Sequence, residues 1–168
     1  VVAMERIEWT ADLNLGIDVI DSQHRNIVDY INQLTEAIET QQDHEVLSVL
    51  EQLASYTIDH FVFEEELLEK AGYMEQEDHS ELHRKFESKV YAMMTDFVSG
   101  SDPFSIARRT RNFLQMWLIS HIRKEDAKYV PSVKKVIGRQ QGWIESALKR
   151  IFGNADNNED VYESPYQA

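Results

Sequence analysis

Apolar residues recur at intervals of three and four along most of this chain. Positions with that spacing share one face of an α-helix, whereas a half-buried strand alternates every second residue. The first apolar stripe predicts a helix from about residue 20 to 39; it comprises Ile20, Ile27, Ile31, Leu34 and Ile38. No segment shows sustained strand alternation, so the pattern predicts an all-α protein.

Three further stripes predict helices of similar length. They run from about 44 to 71, from about 76 to 98, and from Pro103 to a point before Pro131. Gly72 is a favourable helix stop, and proline is favoured at a helix start. Long helices with short connections predict an antiparallel up-down-up-down four-helix bundle.

The remaining regions have different characters. The N-terminal stretch ERIEWTADLNLGID, at 5–18, lacks a helical pattern and is predicted to pack as an arm. An extra amphipathic helix is predicted over about 138–152, and the acidic residues after it are predicted to be disordered. We therefore divide the chain into a bundle at 1–131, a C-terminal helix extension at 132–152 and a tail at 153–168.

Composition and charge narrow the class of protein. The chain has 168 residues, a formal net charge of −13 and no cysteine. The lack of cysteine excludes disulfides, iron–sulfur clusters and thiolate metal ligands. The negative charge argues against nucleic acid as a partner, because phosphate backbones favour lysine and arginine. No apolar run approaches the roughly 20 residues that span a bilayer, and no signal peptide is evident, so we expect a cytoplasmic protein.

Histidine is the residue type that points to chemistry. The chain has six histidines, and each of the four long predicted helices carries at least one in its interior. His79 and His83 are four residues apart, so they share one face of the third helix. His60 and Glu64 form a second pair with this spacing in the second helix. Two ligand-type side chains stacked in this way are typical of half a metal site.

The first and fourth helices each carry one further candidate. His24 shares the apolar face of the first helix, and His121 lies near the end of the fourth. Glu125, four residues after His121, shares its face, whereas Asp126 lies about 140° away around a straight helix. Spacing alone therefore favours Glu125 as a second ligand. His44, at a predicted helix start, has no such partner and is interpreted as a surface residue.

The joint pattern indicates a metal centre. Any one of these histidines could simply be packed or solvated, but five histidines and two carboxylates distributed over four helices are hard to obtain by chance. This set exceeds the ligands of a structural zinc site and suits two octahedral cations, with iron favoured by the nitrogen-rich ligation. Two bridging carboxylates and a bridging oxo or hydroxo group fill all but one coordination position, which suits one diatomic ligand.

Four stretches of the sequence resemble the hemerythrin family, specifically its bacterial members. They are LGIDVIDSQH at 15–24, HFVFEEELLEKAGY at 60–73, HSELH at 79–83 and WLISHIRKED at 117–126. Together they span most of residues 9–130. The resemblance implies a four-helix bundle that holds two non-heme iron ions and binds dioxygen reversibly.

The resemblance also implies a role for each candidate residue. One iron would have the ligands His79, His83 and His121. The other, five-coordinate iron would have His24 and His60 and would bind dioxygen. The carboxylates that bridge the two ions would be Glu64 and Asp126, so the family pattern favours Asp126 where straight-helix spacing favours Glu125. The residues that match the apolar oxygen pocket are Phe61, Trp117, Leu118 and Ile122.

Three functions are compatible with this resemblance. The first is reversible dioxygen binding for storage, delivery or buffering, without enzymatic turnover. The second is oxygen or redox sensing, reported to a partner through the C-terminal helix. The third is an enzyme that handles peroxide or nitric oxide, although the sequence lacks the paired Glu-x-x-His motifs of ferritin-like oxidases.

The C-terminal extension departs from the family pattern, because family members that stand alone usually end soon after the last ligand. The apolar residues of the predicted helix at 138–152 share one face; they are Trp143, Ile144, Ala147, Leu148, Ile151 and Phe152. Three interpretations are open: the helix packs on the bundle, docks a partner protein, or lies on a membrane surface.

Overall fold

Six α-helices make up most of the part of the chain that the structure describes. The computed structural model describes residues 4–100 and 102–153, and no strand occurs among them. The helices are α1 (Asp18–Glu39), α2 (Asp43–Ala71), α3 (Gln76–Ser99), α4 (Pro103–His121), α5 (Ala127–Val136) and α6 (Gln141–Phe152). A π-helical segment, Ile122–Asp126, joins α4 to α5, and short 3-10 turns lie at Ala11–Leu13 and Ile137–Arg139. The all-α prediction is confirmed.

The first four helices form the predicted bundle. Consecutive helices pack against each other, and α1 also packs against α4, which closes the ring. The apolar stripe of α1 faces inward, with Ile20, Ile31 and Leu34 fully buried. The N-terminal arm lies against α1, where the Ile7 amide donates to the Asn32 side-chain oxygen at 2.8 Å.

Local sequence signals place the helix ends. Gly72 adopts a left-handed conformation with φ of 64°, which only glycine reaches without steric cost, and it ends α2. The amide after it, of Tyr73, donates to the Leu68 carbonyl at 3.1 Å. Because α2 ends here, the short loop at 72–75 places α3 against α2.

The start of α4 also has a local signal. The Asp102 side chain accepts from the Ser105 amide, and Pro103 lies in the first turn.

The sequence suggested that the fourth helical stretch weakens before Pro131, but it widens only at Ile122–Asp126 and does not end there. α5 continues through Pro131 to Val136. Pro131 and Ala127, whose carbonyl loses its helical partner, are both exposed, so water can satisfy that carbonyl. On the opposite side Tyr129 and Val133 are fully buried, and their packing holds the segment against the bundle.

The C-terminal helix packs along the outer side of α2. Ile144 and Ala147 are buried, and the Trp143 ring lies 5.3 Å from that of Phe63. Both terminal nitrogens of the Arg150 guanidinium pair with the Glu66 carboxylate, at 3.0 and 2.6 Å. The apolar face of α6 is thus used within the chain. Apart from Gly153, the predicted tail lies outside the described residues, and none of the described helices is long and apolar enough to cross a membrane.

Candidate metal centre

Seven ligand-type side chains converge inside the bundle. They come from α1, α2, α3, α4 and the π-helical segment, and none is more than 6% exposed. They are His24, His60, Glu64, His79, His83, His121 and Asp126. These are the residues that the sequence singled out, and His44 lies apart from them on the surface.

The imidazoles form two groups around the two carboxylates. We call His79, His83 and His121 the three-histidine group. Glu64 Oε1 lies 2.7 Å from His79 Nε2 and 3.4 Å from His83 Nε2. Asp126 Oδ1 lies 3.2 Å from His79 Nε2 and 3.1 Å from His121 Nε2. One oxygen of each carboxylate therefore faces this group.

The other oxygen of each carboxylate faces the two-histidine group, His24 and His60. Asp126 Oδ2 lies 3.2 Å from His24 Nε2. Glu64 Oε2 lies 3.3 Å from His60 Nε2 and 3.9 Å from His24 Nε2. Both carboxylates thus stand between two sets of imidazole nitrogens, which is the placement that a bridging ligand between two cations requires.

The π-helical segment explains why Asp126 faces inward. A π-helix bonds residue i to i+5, so a residue five positions on returns to the same side. Asp126 is accordingly fully buried beside His121, whereas Glu125 is turned outward and pairs with Lys128 at 3.1 Å. The straight-helix expectation that Glu125 shares the face of His121 is wrong, because the helix is locally widened at this point.

Hydrogen bonds fix the orientation of two imidazoles. His60 Nδ1 donates to Gln23 Oε1 at 2.6 Å, and His83 Nδ1 donates to Glu65 Oε2 at 3.1 Å. Both oxygens accept, so Nδ1 carries a proton in each ring, and the neutral form of each ring has its lone pair on Nε2, which faces the centre. This is the tautomer that a metal ligand through Nε2 needs.

A tyrosine holds one carboxylate from outside the ligand set. Tyr129 is fully buried, and its hydroxyl donates to Glu64 Oε2 at 3.0 Å. Burial and the negative charges of Glu64 and Asp126 raise the pKa of Tyr129 well above its ordinary value. The phenol therefore stays protonated and remains a donor to Glu64.

The charges of the centre favour bound cations. Burial opposes ionisation of Glu64 and Asp126, but the surrounding histidines outweigh it and hold the pKa of both carboxyls well below their ordinary values. Burial also opposes the charged form of His79, yet Asp126 and Glu64 raise its pKa to about 10. Two carboxylates thus remain ionised in the interior, and protons on imidazole are the charges that metal ions would replace.

The donor set fits metal ions better than it fits a hydrogen-bonded core. The Nε2 lone pair of His60 faces a carboxylate oxygen, and burial lowers the pKa of His60, which disfavours a proton between them. Both ring nitrogens of His24 and both carboxylate oxygens of Asp126 are buried without a hydrogen-bond partner. Buried polar atoms without partners are costly, and cations held by these atoms would remove that cost.

A small apolar cavity adjoins the two-histidine group, and we call it the inner cavity. Its volume is about 10 Å³, which is about the size of one water-sized molecule. Its lining includes both members of the two-histidine group and one member of the three-histidine group, His121. It is lined by His24, Ile27, Ile31, Thr57, His60, Phe61, Phe86, Leu114, Trp117, Leu118, His121 and Asp126. Three predicted pocket residues are in this set, whereas Ile122 is buried nearby but does not line it.

The sequence pattern does not single out several residues that surround the centre. Gln23 occupies a position on the apolar stripe of α1, one residue before His24, and a polar residue there is a detectable signal. Tyr129 shares the apolar face of α5 with Val133 and resembles any core residue. Glu65 lies within the run EEE at 64–66, where nothing distinguishes it. The cavity residues of α1, α2 and α3 are ordinary core positions in sequence.

Comparison with known proteins agrees with this geometry. The family model for the hemerythrin HHE cation binding domain matches residues 15–133, a span that contains all seven convergent side chains. The chain belongs to the hemerythrin family. A solved structure of wild-type hemerythrin superposes with a TM-score of 0.70 and 29% sequence identity, covering 76% of this chain and 97% of the other.

Bacterial members of the hemerythrin family match most of the chain. The bacteriohemerythrins of Pseudomonas aeruginosa (strain LESB58) and Stenotrophomonas maltophilia are 36% and 38% identical over 156 residues, covering 89% of this chain and 100% of each relative. That of Methylococcus capsulatus is 30% identical and covers 76% of this chain and 97% of the relative. Because 89% of 168 residues is about 150, the first two matches extend into α6.

Proposed function

We propose that this hemerythrin-family protein holds two non-heme iron ions and binds dioxygen reversibly, for storage, delivery or buffering. The observation that carries the proposal is the placement of the two carboxylates, each with one oxygen toward three imidazoles and the other toward two. That arrangement suits a pair of bridged cations with unequal numbers of nitrogen ligands. Membership of the hemerythrin family supports the same assignment.

The ligand chemistry favours iron. The three-histidine group would hold one ion and the two-histidine group the other, with Glu64 and Asp126 as bridges. Nitrogen-rich ligation with more ligands than a tetrahedral zinc accepts suits borderline cations rather than magnesium or calcium. When bound, a reduced pair of irons supplies the electrons that reversible dioxygen binding requires.

The chain's own residues would make that binding reversible. The inner cavity adjoins the two-histidine group, so a diatomic molecule could reach an ion held there and an organic substrate could not. Phe61, Trp117 and Leu118 bound this cavity with apolar surface, which keeps water and protons from the ions. Tyr129 holds the Glu64 carboxylate in its bridging orientation through a hydroxyl that stays protonated. These features favour a binding protein over an enzyme.

The absorption spectrum of the reduced protein tests this function. Iron-loaded protein, reduced without oxygen and then exposed to air, should gain a visible absorption band that disappears when oxygen is purged with argon. The control is the same protein loaded with zinc, which should stay colourless throughout. Direct and irreversible conversion to the ferric form, with no purgeable band, would contradict reversible binding.

A further inference from the structure

A second cavity lies behind one wall of the inner cavity, and we call it the outer cavity. It occupies about 70 Å³ between α2, α3 and α4. Three residues line both cavities: Thr57, Phe86 and Leu114. The two spaces are therefore separated by a single layer of side chains, which we call the shared wall.

The outer cavity is suited to apolar molecules. Apart from Thr57 and Glu87, its lining consists of aliphatic, aromatic and methionine side chains. The Thr57 hydroxyl is already used, since it donates to the Leu53 carbonyl at 2.7 Å, and the Glu87 carboxylate pairs with Arg84 at 3.1 Å. A buried water needs roughly two to four polar partners, and apolar cavities stay dry and bind molecules such as xenon.

The two cavities differ in their access to solvent. The outer cavity is lined in part by Ile58 and Tyr91, which are 46% and 75% exposed. The inner cavity is lined by buried residues, with Trp117 as the one half-buried member. A small molecule that enters from solvent between α2 and α3 therefore meets the outer cavity first.

The members of the shared wall differ in how firmly they are held. Phe86 packs against the rings of Trp117 and Phe61, with centroids 4.0 and 5.6 Å away. Thr57 is tied to its own helix by its hydroxyl. The Leu114 side chain can make neither a hydrogen bond nor a ring stack, so a change of its rotamer opens the wall at the least cost.

We propose that the outer cavity is a binding site for small apolar molecules and the place from which dioxygen passes Leu114 into the inner cavity. The passage of dioxygen rests on the proposed function, whereas the binding site itself does not require iron. The two parts can therefore be tested separately.

Xenon tests the binding site. Crystals of the protein, with and without iron, are pressurised with xenon, and a xenon peak is expected in the outer cavity in both. Ala54 lines only the outer cavity, so Ala54→Leu should fill it and remove the peak. Ala92→Leu makes the same change at an exposed position of α3 that lines neither cavity, and it should keep the peak. A wild-type protein without xenon at this place would overturn the proposal.

Oxygen kinetics test the passage. Ala54→Leu should slow dioxygen association and dissociation by the same factor, about tenfold, because a raised barrier changes both rates and leaves their ratio unaltered. Val90→Phe fills the same cavity from α3 and should slow both rates in the same way. It serves as the test variant if Ala54→Leu folds poorly. Rates in both variants equal to those of Ala92→Leu would exclude this route while leaving reversible binding intact. Xenon in the outer cavity of a protein that binds no dioxygen would instead exclude the proposed function and leave the binding site.

Discussion

The two halves of the metal centre differ in what surrounds their imidazoles. In the three-histidine group, aromatic rings cover the ligands: Phe61 stacks on His83 with 3.7 Å between centroids, and Trp117 stacks on His121 at 4.3 Å. Beside the two-histidine group the bundle leaves the inner cavity. Phe61 and Trp117 also line that cavity, so the rings that cover one half form the wall of the space at the other.

This difference shows that packing decides where an exogenous ligand can bind. Both halves offer imidazole Nε2 atoms and one oxygen from each carboxylate, so the ligand types alone do not distinguish them. The number of histidines and the shape of the apolar core do. The half with fewer ligands is also the half with space, which is the combination that a single open coordination position requires.

Removing a ligand that both halves share should abolish iron binding in both, and this is the largest expected effect. Asp126 faces both histidine groups, so Asp126→Ala should leave the protein with little or no bound iron, because its loss breaks the bridge and leaves buried imidazoles uncompensated. Glu125→Ala is the matched control, since Glu125 pairs only with Lys128 in the described structure and should retain full iron. Iron per chain in the two variants decides the matter, and the reverse result would show that the helix widening does not set the ligand.

Removing the hydrogen bond that orients one histidine should change the rate of iron loss in one half of the centre and not in the other. Gln23 orients His60 in the two-histidine group, so Gln23→Leu should speed the loss of one iron per chain to a chelator by about tenfold, the usual effect of losing such a partner. The second iron should leave at nearly its normal rate. Gln33→Leu, elsewhere on α1, serves as the control. Equal acceleration for both irons would mean that the halves do not hold their metals independently.

Opening the wall of the inner cavity should raise the autoxidation rate without changing the iron content. Leu118 lines the inner cavity, and Leu118→Ala or Leu118→Asn should admit water and speed autoxidation by about tenfold, a barrier change of about 1.4 kcal/mol. Iron content should stay normal. Ile119→Ala removes a similar side chain that does not line the cavity. If this control autoxidises as fast as the Leu118 variants, cavity access is not what limits the reaction.

Much of the fold was predictable because its signals are local. The apolar stripes, the left-handed Gly72 and the Asp102–Pro103 start all act within one or two turns of their own residues. The convergence of five histidines and Glu64 was predictable too, since i to i+4 spacing in regular helices fixes which face each side chain takes.

The less predictable features depend on contacts between distant segments. The widened helix at Ile122–Asp126 contradicts the local spacing rule, and the resemblance to hemerythrins, rather than helix geometry, pointed to Asp126. The continuation of α5 past Pro131 depends on burial of Tyr129 and Val133 against the rest of the protein. The inner cavity depends on how rings from α2, α3 and α4 meet, which no single stretch of sequence encodes.

The Mössbauer spectrum of the iron-loaded, oxygenated protein tests the central claim most directly. Two irons with three and two histidine ligands, of which one faces the cavity, should give two distinct quadrupole doublets of equal area. A single doublet in the oxygenated protein, or two of unequal area, would contradict a pair of inequivalent irons with one open position.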